Sequence, residues 1–521
     1  MNDQKRRLAI CLSAALALSG CATVEPRADY ERANRYIADV TGQDASYNPA
    51  DEAAASKRVE ALLASGLSAS GAVELALLNN PTLQAAYRNV GIACADVVQS
   101  GLLANPSLGL SIQFPEAGGR SNIQASLAQN IVELWQIPVR RKAAEKELDA
   151  AILDLARQAA ELTTEVRRAY YAALSADAVH EIARKNVAVA DRLLAVVQAR
   201  KDAGNVGELD LNLARGTTLE AKLELQQARL AAHSERRRLA TLLGLTLAAE
   251  SLELTDSLTT PKTLRINADA VVAMAKANRL DLSAARRQAD SAAARLHLEY
   301  LKIFPEISIG PFLERSERRA LGGRKPFADA ARASIAAGTP TIPAIQSRGE
   351  RNLERRQEIN AILGPSISIT LPIFDQNQAQ IAKAEIELEK AQKQLEAIDR
   401  AIVQEVRQRV DQAQTACHLA RFYATDLTPQ ADRNLELSQE TYRAGRTSLI
   451  VVLDAQRILL AARRSGVLAE QSAAAALADL ELSTGRPLEA ILAAAEPNPE
   501  TTNRPDDADE SRSVPDTGGP R

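Results

Sequence analysis

Cysteine and histidine carry the most reactive side chains of this 521-residue chain, four of each, and their spacing decides what chemistry is open to it. Cys21 closes the tetrapeptide Leu18-Ser19-Gly20-Cys21, behind Lys5, Arg6 and Arg7 and an apolar run from Leu8 to Leu18. A basic start, a short apolar core and small residues at the end make residues 1–20 a signal peptide. Cys94 and Cys417 lie in helical contexts. They are either partners in a disulfide, which spacing alone does not decide, or small buried residues. His180, His233, His297 and His418 are scattered, with no HxxxH pair or Cys/His cluster, so no metal site is expected in the chain itself. Phosphate loop, dinucleotide glycine pattern and Gly-x-Ser-x-Gly elbow are all missing from the sequence, and the reading is not an enzyme. The formal charge of −3 becomes about −5 without residues 1–20, too mild for nucleic acid.

Leu-Ser-Gly-Cys resembles the bacterial lipoprotein box. The resemblance implies that Cys21 becomes the first mature residue and carries covalent lipid, with no other cofactor. The alternative is an ordinary signal peptide with a chance cysteine. Several acyl chains anchor a protein where one does not. Ala22, rather than Asp, follows the cysteine, and with that resemblance it points to the outer membrane of a double-membraned bacterium.

The elements that would position such an anchored chain are written twice. Leu83-Gln84-Ala85-Ala86 answers Leu282-Ser283-Ala284-Ala285, and Asn105-Pro106 through Leu110 answers Phe304-Pro305 through Ile309, both at an offset of 199. Pro138 answers Pro372 at 234, and Ala203-Gly204 and Gly244 answer Ala444-Gly445 and Gly485 at 241. The first step places about 35 extra residues between Pro305 and Pro372; the second adds seven, two helical turns, which lengthens a helix without rotating its apolar face. Each half reads helix, strand, strand, long helix, turn, long helix. Leu148, Ile152, Leu155, Ala159, Leu162 and Val166 alternate steps of four and three, as do Ile381, Ala384, Leu388, Ala391, Leu395, Ile398 and Ile402. A helix from about Arg140 to Lys201 would be roughly 90 Å long, which suits a tube or rod. Aromatics are only 3% and alanine is abundant, as close helix packing requires.

Four short segments alternate with period two: Leu108 to Phe114, Ile123 to Leu127, Ile307 to Ile309, and Ile367 to Leu371. One apolar and one small polar face fits a membrane β-barrel or a soluble sheet equally. Four strands do not close a barrel alone, so their edges need partner subunits. After the signal peptide no apolar stretch is long enough for a transmembrane helix. The expected division is a signal peptide 1–20, a lipidated linker 21–70, a first repeat 71–250, a second repeat 251–490 and a disordered tail 491–521. The first repeat places strands at about 106–134 and a helical hairpin at about 139–243; the second, strands at about 305–372 and a hairpin at about 376–484.

Lipobox, duplication, paired strands and heptad helices together resemble the outer-membrane efflux proteins of the TolC type over about residues 60–490. The local wording agrees: Asn80-Pro81-Thr82-Leu83, Gly101-Leu102-Leu103-Ala104-Asn105-Pro106, Tyr442-Arg443-Ala444-Gly445-Arg446-Thr447-Ser448, and Leu453-Asp454-Ala455-Gln456. Gly364-Pro365 through Leu371-Pro372-Ile373-Phe374-Asp375 resembles the heavy-metal efflux branch. The resemblance implies a mainly α fold with a membrane β-barrel. It implies a homotrimer whose twelve-stranded barrel continues as a long periplasmic α-helical barrel. It further implies a periplasmic adaptor, an inner-membrane pump and contact with outer-membrane lipid. The chain would be a passive channel, its cargo heavy-metal cations or, alternatively, drugs or secreted proteins; a non-conducting coiled-coil scaffold is the competing class.

The same resemblance places the adaptor at the hairpin tips, Gly204, Gly207, Gly445, Thr447 and Ser448. These glycines equally serve only the turns, through φ > 0. It also places an acidic aperture ring at Asp454, with Val451 at the family's other acidic position; Asp210, in the matching turn of the first repeat, is the candidate for a second ring. A solvated helix position explains Asp454 as well. Residues 314–363 hold ten Lys/Arg against six Asp/Glu and read as a polar outer loop, or as a contact with anionic lipopolysaccharide. Trp135 falls at a strand end, at a membrane interface or buried in the equatorial region. From about Pro497 the tail lacks apolar residues to bury.

Overall fold

The computed structural model describes residues 23–44, 47–49, 51–114, 121–246, 252–317, 326–338 and 359–495. Cys21 and the rest of the signal region lie outside them, as do most of 314–363 and the tail from 496. The chain divides into two compact units: Ala93–Leu148 with Arg287–Gln392, and Glu25–Ile92 with Asp149–Arg286 and Lys393 onward.

The first unit is built on one antiparallel sheet in the order β1-β2-β3-β4, with β1 Ser107–Gln113, β2 Asn122–Asn130, β3 Ile307–Glu317 and β4 Ile359–Ile369. The register puts Leu108 opposite Leu127, Leu110 opposite Ala125, Leu313 opposite both Ala125 and Leu363, and Ile309 opposite Ile367. Period two therefore collects these apolar side chains on one face. That face is bare: Leu108, Leu110, Leu363 and Ile367 are 63–76% exposed. Among the described residues, β1 and β4 are the two edges of the sheet and have no further strand beside them. Pairing between β2 and β3 lapses at Gly310-Pro311, where Pro311 has no N–H and sits opposite Pro365. A Cβ on Gly310 would lie 1.6 Å from the Leu127 carbonyl oxygen, so only glycine lets the strands pass.

At one end of the sheet the strands meet helices α4 (Pro81–Ser100), α5 (Glu133–Asp202), α8 (Leu280–Leu301) and α10 (Gln378–Phe422). Every junction there exposes large apolar groups: Leu102, Leu134, Trp135, Phe304, Ile373 and Phe374. Trp135 is not at a strand end but in the first turn of α5, and is 64% exposed. Arg140 ties the α4 end to α5, donating to the carbonyls of Ser100 at 2.8 Å and Leu102 at 2.7 Å. Asn377, the one described non-glycine residue with positive φ, anchors the Leu371–Asp375 segment by donating to the Glu299 carbonyl at 2.8 Å.

α5 starts at Glu133, seven residues before Arg140, with Pro138 inside it. Asn130 begins the turn by accepting from the Val132 amide. Pro138 stands sixth in the helix, so its missing N–H forfeits a single bond, to the Leu134 carbonyl. The polar-loop reading of 314–363 also needs correction. Strands reach Glu317 and resume at Ile359, and α9 (Pro326–Ala336) forms between them, with proline at its first position and alanine-rich sequence behind.

The second unit holds α1 (Arg27–Thr41), α2 (Glu52–Ala64), α3 (Ala69–Asn79), α6 (Glu208–Leu242), α7 (Ala268–Asn278), α11 (Thr428–Arg443), α12 (Leu449–Thr484) and α13 (Leu488–Ala495), with parts of α4, α5, α8 and α10. In α6 the buried positions Leu211, Ala214, Thr218, Ala221, Ala228, Ala232 and Leu239 follow the heptad, mostly alanine, so the helices approach closely. In α5 the sequence-read seam is buried except Leu162, which is half-buried. In α10 the seam from Ile381 to Ile398 is mostly half-buried; full burial begins at Ile402 and runs through Val406, Val410, Ala413 and Cys417. Cys417 and Cys94 are buried and neither forms a disulfide. α13 extends into the expected disordered tail, because Ile491, 0% exposed, packs with Val271, Ala275 and Leu480.

The lengthened stretch of the second half is not plain α-helix throughout. Tyr423–Leu427 make a π-turn in which the Thr428 amide donates to the Tyr423 carbonyl. Pro429 follows and has no N–H to give, which the wider turn accommodates. Gly466 of α12 lies against this bulge, 3.5 Å from the Tyr423 Cβ at its own Cβ position.

Candidate functional site at the helical hairpin turns

Two tight turns join α5 to α6 and α11 to α12, and they are copies. In the first, the Gly204 amide donates to the Lys201 carbonyl at 2.8 Å and Asn205 to Arg200 at 2.9 Å. In the second, Gly445 donates to Tyr442 at 3.0 Å and Arg446 to Thr441 at 2.9 Å. Both glycines are left-handed, at φ 74° and 69°, and a Cβ on either would meet nothing within 4 Å. Backbone geometry, not space, requires glycine there. Gly207 differs from the expectation. Its φ is −84° and it is the N-cap of α6, as Ser448 is the N-cap of α12. It stands at the cap because helix entry needs extended backbone, not a left-handed residue. Thr447 contacts Thr441 through the two hydroxyls at 3.2 Å, closing the second turn.

The turns share one apolar core. Val197 and Leu211 from the first hairpin pack with Tyr442, Leu449 and Val452 from the second. The Arg200 guanidinium lies 4.7 Å from the Tyr442 ring centroid and donates to the Tyr442 carbonyl at 3.3 Å. The Tyr442 hydroxyl is buried without a hydrogen-bond partner among the described residues, a loss of about 1–3 kcal/mol. Lys201 pairs with Glu208 across the first turn. Its hydrogen bond, and then its charge, hold the Glu208 carboxyl below the usual carboxylate range.

Behind the tips, α5, α6 and α12 frame a groove of about 570 Å³. Its floor is the buried hydrogen bond from Gln456 to Asn186 at 2.9 Å, and its rim carries Glu220, Glu224, Asp454 and Arg464. Asp454 is exposed and pairs with Arg457 one turn on, at 2.8 Å. Asp210 is half-buried in the first turn of α6. By the offset of 241 it is the counterpart of Val451, not of Asp454. Asp210 therefore holds the place in the first repeat that Val451 holds in the second, and Asp454 has Arg457 as its ion-pair partner.

Sequence reasoning found the turns and missed Arg200, Asn186, the contact made by Gln456 (quoted only within Leu453-Asp454-Ala455-Gln456) and Arg457. The contacts of the first three span more than 240 residues and have no local signal. The Asp454–Arg457 spacing of three was visible and is an ordinary helix ion pair. Cys21 lies outside the described residues.

Comparison with known proteins follows the duplicated geometry. A family model described as outer membrane efflux protein matches residues 72–245 and 271–486. The cobalt-zinc-cadmium resistance protein CzcC of Cupriavidus metallidurans is 24% identical over 405 residues, 76% of this chain and 85% of that protein. The pyoverdine export outer membrane protein OpmQ of Pseudomonas aeruginosa is 25% identical over 417 residues, 76% of this chain and 80% of that protein. The solved outer membrane protein VceC of Vibrio cholerae superposes with a TM-score of 0.61 at 18% identity, covering 81% of this chain and 96% of that one. The bare apolar sheet face and the paired hairpins are therefore those of an export channel, and this chain belongs to the outer membrane efflux protein family.

Proposed function

We propose that three copies of this chain form one passive export duct. An inner-membrane pump and a periplasmic adaptor deliver its cargo, and heavy-metal cations are that cargo. The sheet carries the reading: one exposed apolar face and, among the described residues, two open edges that further copies would cover. Family members acting as trimers in tripartite systems support it. Three sheets give twelve strands, a number that closes. A detergent-purified trimer that conducts ions in a planar bilayer is the expected result; a stable monomer, or a trimer without conductance, would refute it.

Cargo is read from the segment Gly364-Pro365 to Asp375 and from the likeness to CzcC. A deletion strain should become hypersensitive to cobalt, zinc or cadmium salts and not to dyes or antibiotics; the reverse pattern rejects metal cargo. The lipobox assigns covalent lipid to Cys21, and Cys21→Ser should lose a palmitate label. The adaptor docks at Gly204, Gly207, Gly445, Thr447 and Ser448, so Gly445→Trp should stop export with trimers intact. Asp210 and Asp454 line the aperture. With Arg457 beside Asp454, Asp210 supplies most of any cation preference.

A further inference from the structure

The face of the sheet opposite the apolar one is small and neutral, with three exceptions. The register places Ser, Gly, Ala, Asn or Gln at every described position of this face except Phe312, Glu314 and Ile362. Phe312 lies between Ser126 of β2 and Gly364 of β4, with Gly109 beyond Ser126. Gly364 has open space where a side chain would stand. The ring therefore occupies a row otherwise almost empty of side chains. Glu314, in the next row about 7 Å toward the far end from the helices, lies between Gln124 and Ile362. The single charge on this face thus adjoins its bulkiest group.

We propose that Phe312 and Glu314 form a mid-barrel filter in the duct, an aromatic step that narrows the lumen beside a carboxylate ring that favours cations. The inference rests on the trimeric barrel reading, in which this face lines the lumen and each residue recurs three times. A barrel of twelve strands lies between those filled by side chains and open porins, so one large residue per protomer changes its free cross-section. Three carboxylates in a water-filled lumen bias cation over anion locally. This filter is separate from the aperture acids of the hairpin turns and acts on whatever has already entered.

The test reads the barrel from outside the cell, independently of the helical end. Single cysteines are introduced into the full-length chain and labelled on intact cells with membrane-impermeant methanethiosulfonates, one cationic and one anionic. Phe312→Cys should react and Leu313→Cys, one residue along and on the apolar face, should not. At Ser308→Cys, nearer the helices, the cationic reagent should react about fivefold faster than the anionic one. Adding Glu314→Gln should bring that ratio near one, and adding Phe312→Ser should raise both rates about threefold or more. Labelling rates unchanged by both substitutions, in chains that still run as trimers, overturn the filter and leave the duct intact. Reaction at Leu313→Cys instead of Phe312→Cys, or loss of the trimer in the parent chain, overturns the duct reading itself.

Discussion

The two repeats make the same fold by different chemistry, and the clearest case is where each hairpin returns to the turn between its two short helices. In the first repeat, Asn80 donates its side-chain amide to the Leu242 carbonyl at 2.8 Å and caps α4 through the Thr82 amide. In the second, the residue 199 positions on is Arg279, which reaches the Ser483 carbonyl, 241 positions after Leu242, at 3.4 Å. The same carbonyl is served twice, once by a neutral amide and once by a guanidinium. Arg279 brings a network with it, pairing with Asp281 and Glu405, each at 2.6 Å. Duplication conserved the place of a donor and let its charge change. The long helices differ too: α5 is continuous for 70 residues, whereas its counterpart is interrupted by the π-turn at Tyr423–Leu427.

The largest difference should appear at the paired glycines that end α6 and α12. Gly244 and Gly485 are both left-handed, but a Cβ on Gly244 would lie 2.5 Å from the Asn79 carbonyl oxygen, against 3.1 Å from that of Asn278 for Gly485. Gly244→Ala should cost about 3–5 kcal/mol and Gly485→Ala about 1–3 kcal/mol in denaturant unfolding. Equal losses would mean that the tighter packing of the first repeat relaxes without cost. Next come the equivalent core residues of the hairpin turns, Leu211 and Val452, each 1% exposed. Leu211→Ala should cost about 2–5 kcal/mol and Val452→Ala about 2 kcal/mol, and because both line one core a double mutant should fall short of the sum.

Acid should separate the repeats as well. Burial alone would raise the Asp281 carboxyl, but hydrogen bonds and charge from Arg279 outweigh it and hold the group below its ordinary 3.8. A depressed carboxylate stabilises the fold above its ordinary value and loses that contribution as pH falls through the lowered one. Below about pH 4, amide exchange should therefore quicken at 483–486 before it does at 242–245, and Asp281→Asn should remove the difference. Simultaneous loss at both places would show that the charged network adds nothing to the neutral one. The smallest effects belong to the turn caps. Gly207→Ser, copying Ser448, should change stability by a few tenths of a kcal/mol, while Gly204→Ala and Gly445→Ala should each cost about 1–2 kcal/mol and match one another in thermal unfolding.

Much of this was legible in the sequence, because repeats and turns are local. Offsets of 199 and 241 correspond in space at Asn80 and Arg279 and at Gly204 and Gly445. Strand alternation fixed the apolar face. The start of α5 was not legible, since Pro138 reads as a boundary and only the Asn130 side chain, bonded to Val132, shows that the helix begins earlier. Nor was the π-turn: seven added residues fit a straight heptad, and the proline that favours a wider turn has no unique consequence in sequence. The contact of Arg200 with Tyr442 joins the two halves and is invisible to any pattern shorter than a domain. Phe312 stood just past the alternation read at Ile307 to Ile309, and Glu314 at the start of the segment read as loop, so neither was assigned to a strand face.

The unpaired backbone groups along β1 and β4 bear on how the protein is made. Hydrocarbon does not tolerate an open strand edge, so one chain by itself has no stable inserted state. On the trimeric reading proposed above, insertion is tied to an encounter of several chains, and the yield of finished channels rises more steeply than the number of chains made. At low expression most chains would wait in the periplasm with sheet edges open to mispairing. A modest rise in synthesis would lift export capacity out of proportion, and a defective copy would poison assemblies rather than merely dilute them.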